Sequence, residues 1–304
     1  MIKVNMKIKR AVSALLCAAM CLSVSAAVYA DGAEAGEARA VIGANLTEEQ
    51  TAEIYDAFGI KRGSVEELTV TNAEERELLS GFVDESLIGT NSISCVYVEI
   101  LDEGEGLQIE TQNISWCTDS MYINALVTAG ITDVRMIVAA PFEVSGTAAL
   151  AGVYKAYEDI TGEELDDVAK LVSTQELVIT GELADVVGSY DAVEIVNELK
   201  LLLDETDDMT DEELEAAIYE IAAEYDVSLT DSQVEQLISL VREFEKLDTE
   251  ELMEKVEYVQ DTVKKLAEAQ EKISGITETI KNVVETVTSF VNRVLSFFGL
   301  SINA

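Results

Sequence analysis

The chain of 304 residues carries 59 aspartate and glutamate residues against 20 lysine and arginine residues, which gives a formal charge of −39 at neutral pH. A field of this sign repels phosphate backbones and excludes nucleic acid binding as a main role. A hydrophobic content of 48% indicates a packed chain rather than a disordered acidic one.

The first thirty residues have the pattern of a secretory signal peptide. Four basic residues precede an apolar and small-residue run from Ala11 to Val28, and the small residues around Tyr29 predict cleavage after Ala30. An uncleaved membrane anchor is the alternative, because the run approaches the length that spans a bilayer. Without residues 1–30 the formal charge is −43. We expect the protein outside the cytoplasm, secreted or associated with the cell envelope.

Residues 31–160 are predicted to form an α+β domain. Short strands are expected at residues 40–43 and 68–70, and an apolar strand is expected to end at Pro141. Helices are expected to begin at Thr47 and Thr71, each of which has a glutamine or glutamate three residues later, as in a capping box. Further helices are predicted from Asp119 or Ser120 to residue 129 and at residues 147–159. This irregular alternation favours a mixed sheet with packed helices.

A β-hairpin is predicted in the middle of this domain, with strands at residues 94–101 and 107–116 around a turn centred on Gly104. Cys95 and Cys117 flank the hairpin, and an oxidising exterior permits a disulfide between them. Simple pairing about Gly104 places Cys95 opposite Asn113, so the disulfide requires a bulge or a slipped register. The sequence leaves both the bonded and the free state open.

The remainder of the chain is predicted to be helical. Residues 161–247 form an acidic region with helices expected at 163–173, 180–187 and 191–203, followed by helices capped by Thr210 and Thr230. Residues 248–304 have the spacing of a long amphipathic C-terminal helix, bent near Gly275.

The end of this helix is apolar and needs to be covered. Between Thr286 and Leu300 the only charge is Arg293. Three coverings are open: packing on the domain, self-association or a partner groove, and shallow contact with a membrane interface. The predicted contact residues are Phe290, Val294, Phe297 and Phe298.

Two further features are candidate binding sites. The turn Ser145-Gly146-Thr147 precedes an apolar helix, whose free amides can hold an anion, although such a turn also serves simply as a cap. Trp116 and Tyr122 are candidates for lining a sugar or peptide groove, with a place in the hydrophobic core as the alternative.

The absence of histidine limits the chemistry, because Ser-His-Asp and Cys-His catalysis and histidine zinc sites all require imidazole. No phosphate-binding loop and no regular calcium loop occur in the sequence. A pair of carboxylates, as in glycoside hydrolysis, stays open, with Glu110, Asp119 and Glu143 as candidates. These residues serve equally as caps or surface charges. No cofactor is expected beyond weak calcium binding by the acidic surface.

Several stretches resemble the YpuA-like family of uncharacterised secreted proteins from Gram-positive bacteria. They are the run from Val70 to Glu75 leading to Ile88-Gly89, Asn113-Ile114-Ser115 with residues 121–130, the run from Ala140 to Leu150, and residues 229–233. The resemblance covers most of the chain after residue 30, and its most specific part is Pro141 to Leu150. It implies a domain of unknown function and supplies no catalytic residues.

Together these observations favour a non-enzymatic extracytoplasmic interaction module. Its expected partner is a cell-envelope component or a basic protein, or a second copy of the chain joined through the C-terminal helix. A carboxylate-based hydrolase of cell-wall glycan and a weak multivalent calcium binder are the alternatives.

Signal cleavage is directly testable. When the full chain is expressed in a bacterium that secretes proteins, we expect mass spectrometry of the exported product to give a chain that begins at Asp31. An intact, unprocessed product dissolved in the cytosol would contradict the prediction.

Overall fold

The computed structural model describes residues 35–79 and 90–260. The predicted signal peptide and the tail residues Phe290, Val294, Phe297 and Phe298 lie outside the described residues. The elements in chain order are β1 (Ala38–Gly43), α1 (Glu48–Phe58), β2 (Glu66–Val70), α2 (Asn72–Leu79), β3 (Cys95–Ile100), β4 (Leu107–Ile114), α3 (Asp119–Thr128), β5 (Val134–Val144), α4 (Ala149–Thr161), α5 (Asp167–Val187), α6 (Ser189–Leu201), α7 (Leu203–Thr206), α8 (Asp211–Glu224), α9 (Asp231–Phe244) and α10 (249–260).

The five strands form one mixed sheet in the order β2-β1-β3-β5-β4. The outer pairs, β1 with β2 and β4 with β5, are parallel, while β3 runs antiparallel to both of its neighbours. Helix α1 packs on one face of the sheet, and the remaining large helices lie on the other side. The prediction of an α+β fold with a mixed sheet and packed helices is therefore confirmed.

The predicted hairpin is wrong, because β5 lies between β3 and β4. Val134, the first residue of β5, pairs with Ile100 on one side and Leu107 on the other. Asp133 precedes it, and its Oδ1 accepts backbone hydrogen bonds from Gly104 at 3.1 Å and Gly106 at 2.8 Å. The turn therefore wraps over the start of β5 instead of joining two paired strands.

Strand β5 also continues past Pro141, where the sequence predicted its end. Pro141 lies beyond the last β3 pair, Cys95 with Ala139, so no ladder hydrogen bond is lost there. On the β4 side the register shifts between Gln112 and Ile114, and the Asn113 side chain donates to the Ala140 carbonyl at 2.7 Å. This irregularity accommodates the proline inside the strand.

The capping predictions are largely confirmed. Thr47, Thr210 and Thr230 each accept from the backbone amide three residues on, and each box is completed by the glutamine or glutamate at that position. Thr71 and Glu74 form the same reciprocal bonds before α2. Helix α3 differs, because Thr118 and not Asp119 or Ser120 caps it.

In the acidic region the predicted helices at 163–173 and 180–187 are parts of one helix, α5, which begins after the cap Asp166. Its middle is rich in β-branched residues, which weakens the local helical signal. Burial of ten α5 residues against neighbouring elements compensates for this weakness.

One cluster of buried side chains includes the sheet face opposite α1 and helices α3 to α10. The start of the C-terminal helix belongs to it, since Leu252, Val256 and Val259 are buried. The Tyr258 hydroxyl donates to Asp133 at 2.7 Å, which fixes α10 beside the start of β5. Within the described residues, no helix is long and apolar enough to span a membrane.

The end of β1 provides a packing test. A Cβ at Gly43 would lie 2.5 Å from the Ser92 carbonyl oxygen, which is backbone and cannot rotate away. We expect Gly43→Ala to lower the free energy of unfolding in urea by about 1–3 kcal/mol. Gly152→Ala is the control, because its Cβ would meet the Val96 side chain at 3.0 Å and a side chain can shift. If the two variants lost equal free energy of unfolding, the close approach of the Ser92 backbone to Gly43 would be contradicted.

Candidate functional site

The backbone of the turn Ser145-Gly146-Thr147 is hydrogen-bonded to buried residues of the core. The fully buried Tyr122 hydroxyl donates to the Gly146 carbonyl at 2.7 Å, and the Cys117 amide donates to the Ser145 carbonyl at 3.0 Å. Gly146 has a φ of +97° and leaves no room for a side chain. Gly146 and Thr147 are buried, so the turn presents little surface to an anion.

Helix α4 begins after Ala148, which forms no side-chain cap bond. Thr147 therefore does not cap the helix, and its hydroxyl lies 3.3 Å from the Ser145 hydroxyl.

Trp116 and Tyr122 do not form an open groove together. Tyr122 belongs to the core. Trp116 lies against α5, where its ring occupies the space above Gly181 and its Nε1 donates to Asp185 at 3.1 Å. The structure thus gives Trp116 the role of joining the end of β4 to α5.

Cys95 and Cys117 are both free thiols. They belong to different clusters of buried residues on opposite faces of the sheet, because β5 separates the strands that were expected to bring them together. Of the two states that the sequence left open, the structure therefore shows the free one. Burial raises the pKa of each thiol to about 12, which keeps both protonated and poorly nucleophilic at neutral pH.

The three candidate carboxylates differ in surroundings. Partial burial raises the pKa of Asp119, and the negative charge of Glu110 raises it further. A hydrogen bond from the Thr111 hydroxyl acts in the opposite direction and lowers this pKa. Glu110 is exposed, 3.9 Å from Arg135. Glu143 is exposed on β5. Asp119 and Glu110 are therefore close enough to interact, and catalysis by them stays a prediction.

The structure adds a buried carboxylate that the sequence reading missed. Glu75 on α2 is 1% exposed and accepts hydrogen bonds from the Ser92 hydroxyl at 2.5 Å and the Asn72 amide at 3.3 Å. Burial raises the pKa of Glu75. The Ser92 amide in turn donates to Asn45. The cluster joins the segments that follow β1 and β2 to the segment before β3, at the edge where ligands bind in many parallel sheets.

A second buried polar cluster lies among the helices. Lys200 and Glu176 are both fully buried and form an ion pair at 2.5 Å. The Thr128 hydroxyl donates to Glu176 at 2.5 Å, and the Lys200 ammonium donates to the Asn124 carbonyl at 3.2 Å. Burial raises the pKa of Glu176 and lowers that of Lys200, and the attraction between them opposes both shifts. The pair connects α3, α5 and α6.

The sequence indicates both the Glu75 cluster and the Lys200–Glu176 cluster, because each has a charged residue at an apolar helical position. Glu75 lies four residues before the buried Leu79, which puts it on the inward face of its helix. Lys200 follows the apolar positions Val196 and Leu199 at helical spacing and is the only cation in α6. A charged residue at a core position requires a buried partner of opposite sign.

The part of the helical region between Lys170 of α5 and Arg242 of α9 exposes charge of one sign. Between Lys170 and Arg242 the chain contains 19 acidic residues and a single basic residue, the buried Lys200. All of these acidic residues except Glu176 are exposed or half-buried. We call residues 171–241 the acidic helical face. Arg242 at its end is bound to Asp211.

Three surface cavities of about 400, 510 and 530 Å³ lie between the helices. Lysines line the first and the third, whereas the second, between α3, α6 and α10, is lined by apolar, neutral polar and acidic residues. In the described ranges no group of three or more cysteine, aspartate or glutamate side chains is placed to hold a metal ion. Weak calcium binding by dispersed carboxylates stays a prediction.

The chain belongs to a family described as "Protein of unknown function (DUF1002)", whose model matches residues 42–265. It is similar to "Uncharacterized protein YpuA" of Bacillus subtilis (strain 168), with 36% identity over 256 residues that cover 83% of this chain and 87% of that protein. No solved structure matches the chain. The resemblance found in the sequence is therefore confirmed.

The buried ion pair gives a stability prediction. We expect Lys200→Met to lower the free energy of unfolding in urea by about 3–5 kcal/mol, because Glu176 is left as an uncompensated buried charge. The double variant Glu176→Gln, Lys200→Met should lose less than the single variant. A double variant that is no more stable than Lys200→Met would contradict the coupling.

Lys246→Met is the matched control for that experiment. It removes an ion pair with Glu243 in which the lysine is 56% exposed. The expected loss is below about 1 kcal/mol, because water screens exposed pairs.

Proposed function

We propose that this protein is an exported, non-enzymatic binding protein that contacts a cationic partner through the acidic helical face. The observation that carries the proposal is the segregation of charge: residues 171–241 expose carboxylates and no lysine or arginine. Such a surface attracts basic partners over a distance and accelerates their association.

The distribution of cations supports this choice of face. In the α+β part, cations accompany the acids, as in the bonds of Arg62 to Glu48 and Glu67, and of Lys155 to Glu74. On the acidic helical face the one lysine is turned inward, where Glu176 neutralises it. Among the ion pairs of the described residues, only that of Asp211 with Arg242 neutralises an exposed carboxylate of this face, so most of its negative charge is unpaired, and this is the side that a basic partner would approach.

The chemistry of the buried groups also favours binding over catalysis. Both thiols are buried and protonated, and histidine is absent from the sequence. The Glu75 and Glu176 carboxylates are enclosed and bonded to neighbouring side chains. These groups hold segments of the fold together, and neither carboxylate lines any of the three cavities described above.

Export is the second part of the proposal. It is supported by the signal-peptide pattern of residues 1–30. The strongly anionic surface suits the cell exterior, where basic proteins and cationic envelope components are available as partners. A cell-envelope component or a basic protein is the partner class that this charge selects.

Matched neutralisations test the contact face. One variant carries Asp207→Asn, Glu212→Gln and Glu215→Gln on the acidic helical face, and the control carries Glu49→Gln, Glu53→Gln and Asp56→Asn on α1. Both sets are exposed and change the net charge equally. We expect the first variant to bind an immobilised lysine-rich peptide at least about threefold more weakly than the control, since each exposed charge contributes ~0.2–1 kcal/mol.

The salt dependence gives a second readout. The slope of log affinity against log salt concentration should fall for the helical-face variant more than for the α1 control. Equal affinities and equal slopes for the two variants would show that total charge, and not this face, determines binding, and the proposal would fail.

A further inference from the structure

A groove of about 510 Å³ lies between α3, α6 and α10. Its apolar floor is formed by Ile123 and Val127 of α3, Val193 of α6, and Val256 and Val259 of α10. Neutral polar residues also line it, namely Ser120, Asn124, Asn197 and Gln260, and the Asn124 carbonyl accepts from the buried Lys200. The volume lies within the ~300–1,000 Å³ of ligand-binding clefts. A groove with such a floor binds apolar side chains.

One wall of the groove is acidic. Glu194 and Glu198 lie one helical turn apart on α6, and burial together with the charge of Glu198 raises the pKa of Glu194. Tyr190, which is 71% exposed, stands on the same helix. Among the described residues that line this groove there is no lysine or arginine. Its occupant should therefore be an apolar segment with a positive charge.

We propose that this groove is the docking site of the chain's own C-terminal segment, Thr286–Leu300. That segment is apolar except for one charge, and the charge is the cation Arg293. It matches the groove in both respects: phenylalanine and valine side chains for the floor, and a guanidinium for the carboxylates of Glu194 and Glu198.

The position of the groove along the chain supports this occupant. Gln260 is the last described residue and lines the groove itself. The periodicity of the remaining 44 residues is helical on both sides of Gly275. The chain therefore leaves the described part at the edge of the groove, and Thr286 follows only 26 residues later.

Tethering favours this segment over a free partner. A segment on the same chain reaches the groove at an effective concentration in the millimolar range. Burial of its phenylalanines also removes an apolar surface that otherwise promotes aggregation.

Cross-linking tests the contact in the chain that begins at Asp31. Glu198→Cys combined with Val294→Cys should be joined within one molecule by a short bis-maleimide, because docking of the segment brings the two positions together. The control pair is Glu235→Cys with Val294→Cys, since Glu235 is exposed on α9. At micromolar protein concentration we expect at least about tenfold more intramolecular product from the first pair than from the control. The native thiols are buried and do not compete.

Three results would overturn the proposal. A cross-linked dimer from the first pair would show that a second copy occupies the groove. Equal intramolecular yields from both pairs would show that the segment does not dock there. Retention of the chain on phosphatidylglycerol vesicles without the cross-link would assign the segment to a membrane surface.

A charge reversal tests the acidic wall independently of folding. Adding Arg293→Glu to the cross-linking pair should reduce the intramolecular yield by about fivefold, because it replaces an attraction to Glu194 with a repulsion. Lys281→Glu changes the net charge equally but lies outside the proposed docking segment Thr286–Leu300, and it should leave the yield unchanged. Equal yields for the two reversals would exclude the ion pair.

Discussion

The architecture depends on the interior strand β5, which buries both of its faces, as β1 and β3 do. Along β5, Val134, Met136 and Val138 face the large helical core, while Ile137 and Ala139 face α1. A strand of this kind is stable only in the interior of a sheet, with a paired neighbour on each side. Strands β3 and β4 supply these neighbours, and they are therefore separated from each other.

The insertion of β5 determines where other groups lie. It places Cys95 and Cys117 in different cores, it makes β4 an edge strand, and it brings the loop before β5 under the turn at Gly104. Asp133 in that loop also accepts from Tyr258, so the same carboxylate fixes the root of the C-terminal helix. Asp133 thus links the turn before the edge strand β4 to α10, the start of the C-terminal helix.

The helical part solves a different problem, the burial of charge in a strongly acidic chain. Lys200 and Glu176 neutralise each other in the core. Their mutual attraction and the hydrogen bonds from Thr128 and to Asn124 offset the cost of taking both charges out of water. The consequence at the surface is that no cation remains on the acidic helical face. Because the single basic residue of this stretch, Lys200, is buried, only negative charge is exposed there.

The sequence by itself determined the local features: the threonine caps at residues 47, 71, 210 and 230, the α+β class, and the charge of the acidic region. These follow from bonds between residues three or four apart and from composition, which operate without tertiary contacts. Tertiary structure alone decided the strand order, the continuity of α5, the separation of the cysteines, and the enclosure of Glu75 and Glu176. Each of these depends on which distant apolar surface covers a segment, because burial of both faces of β5 outweighs the local preference for a hairpin.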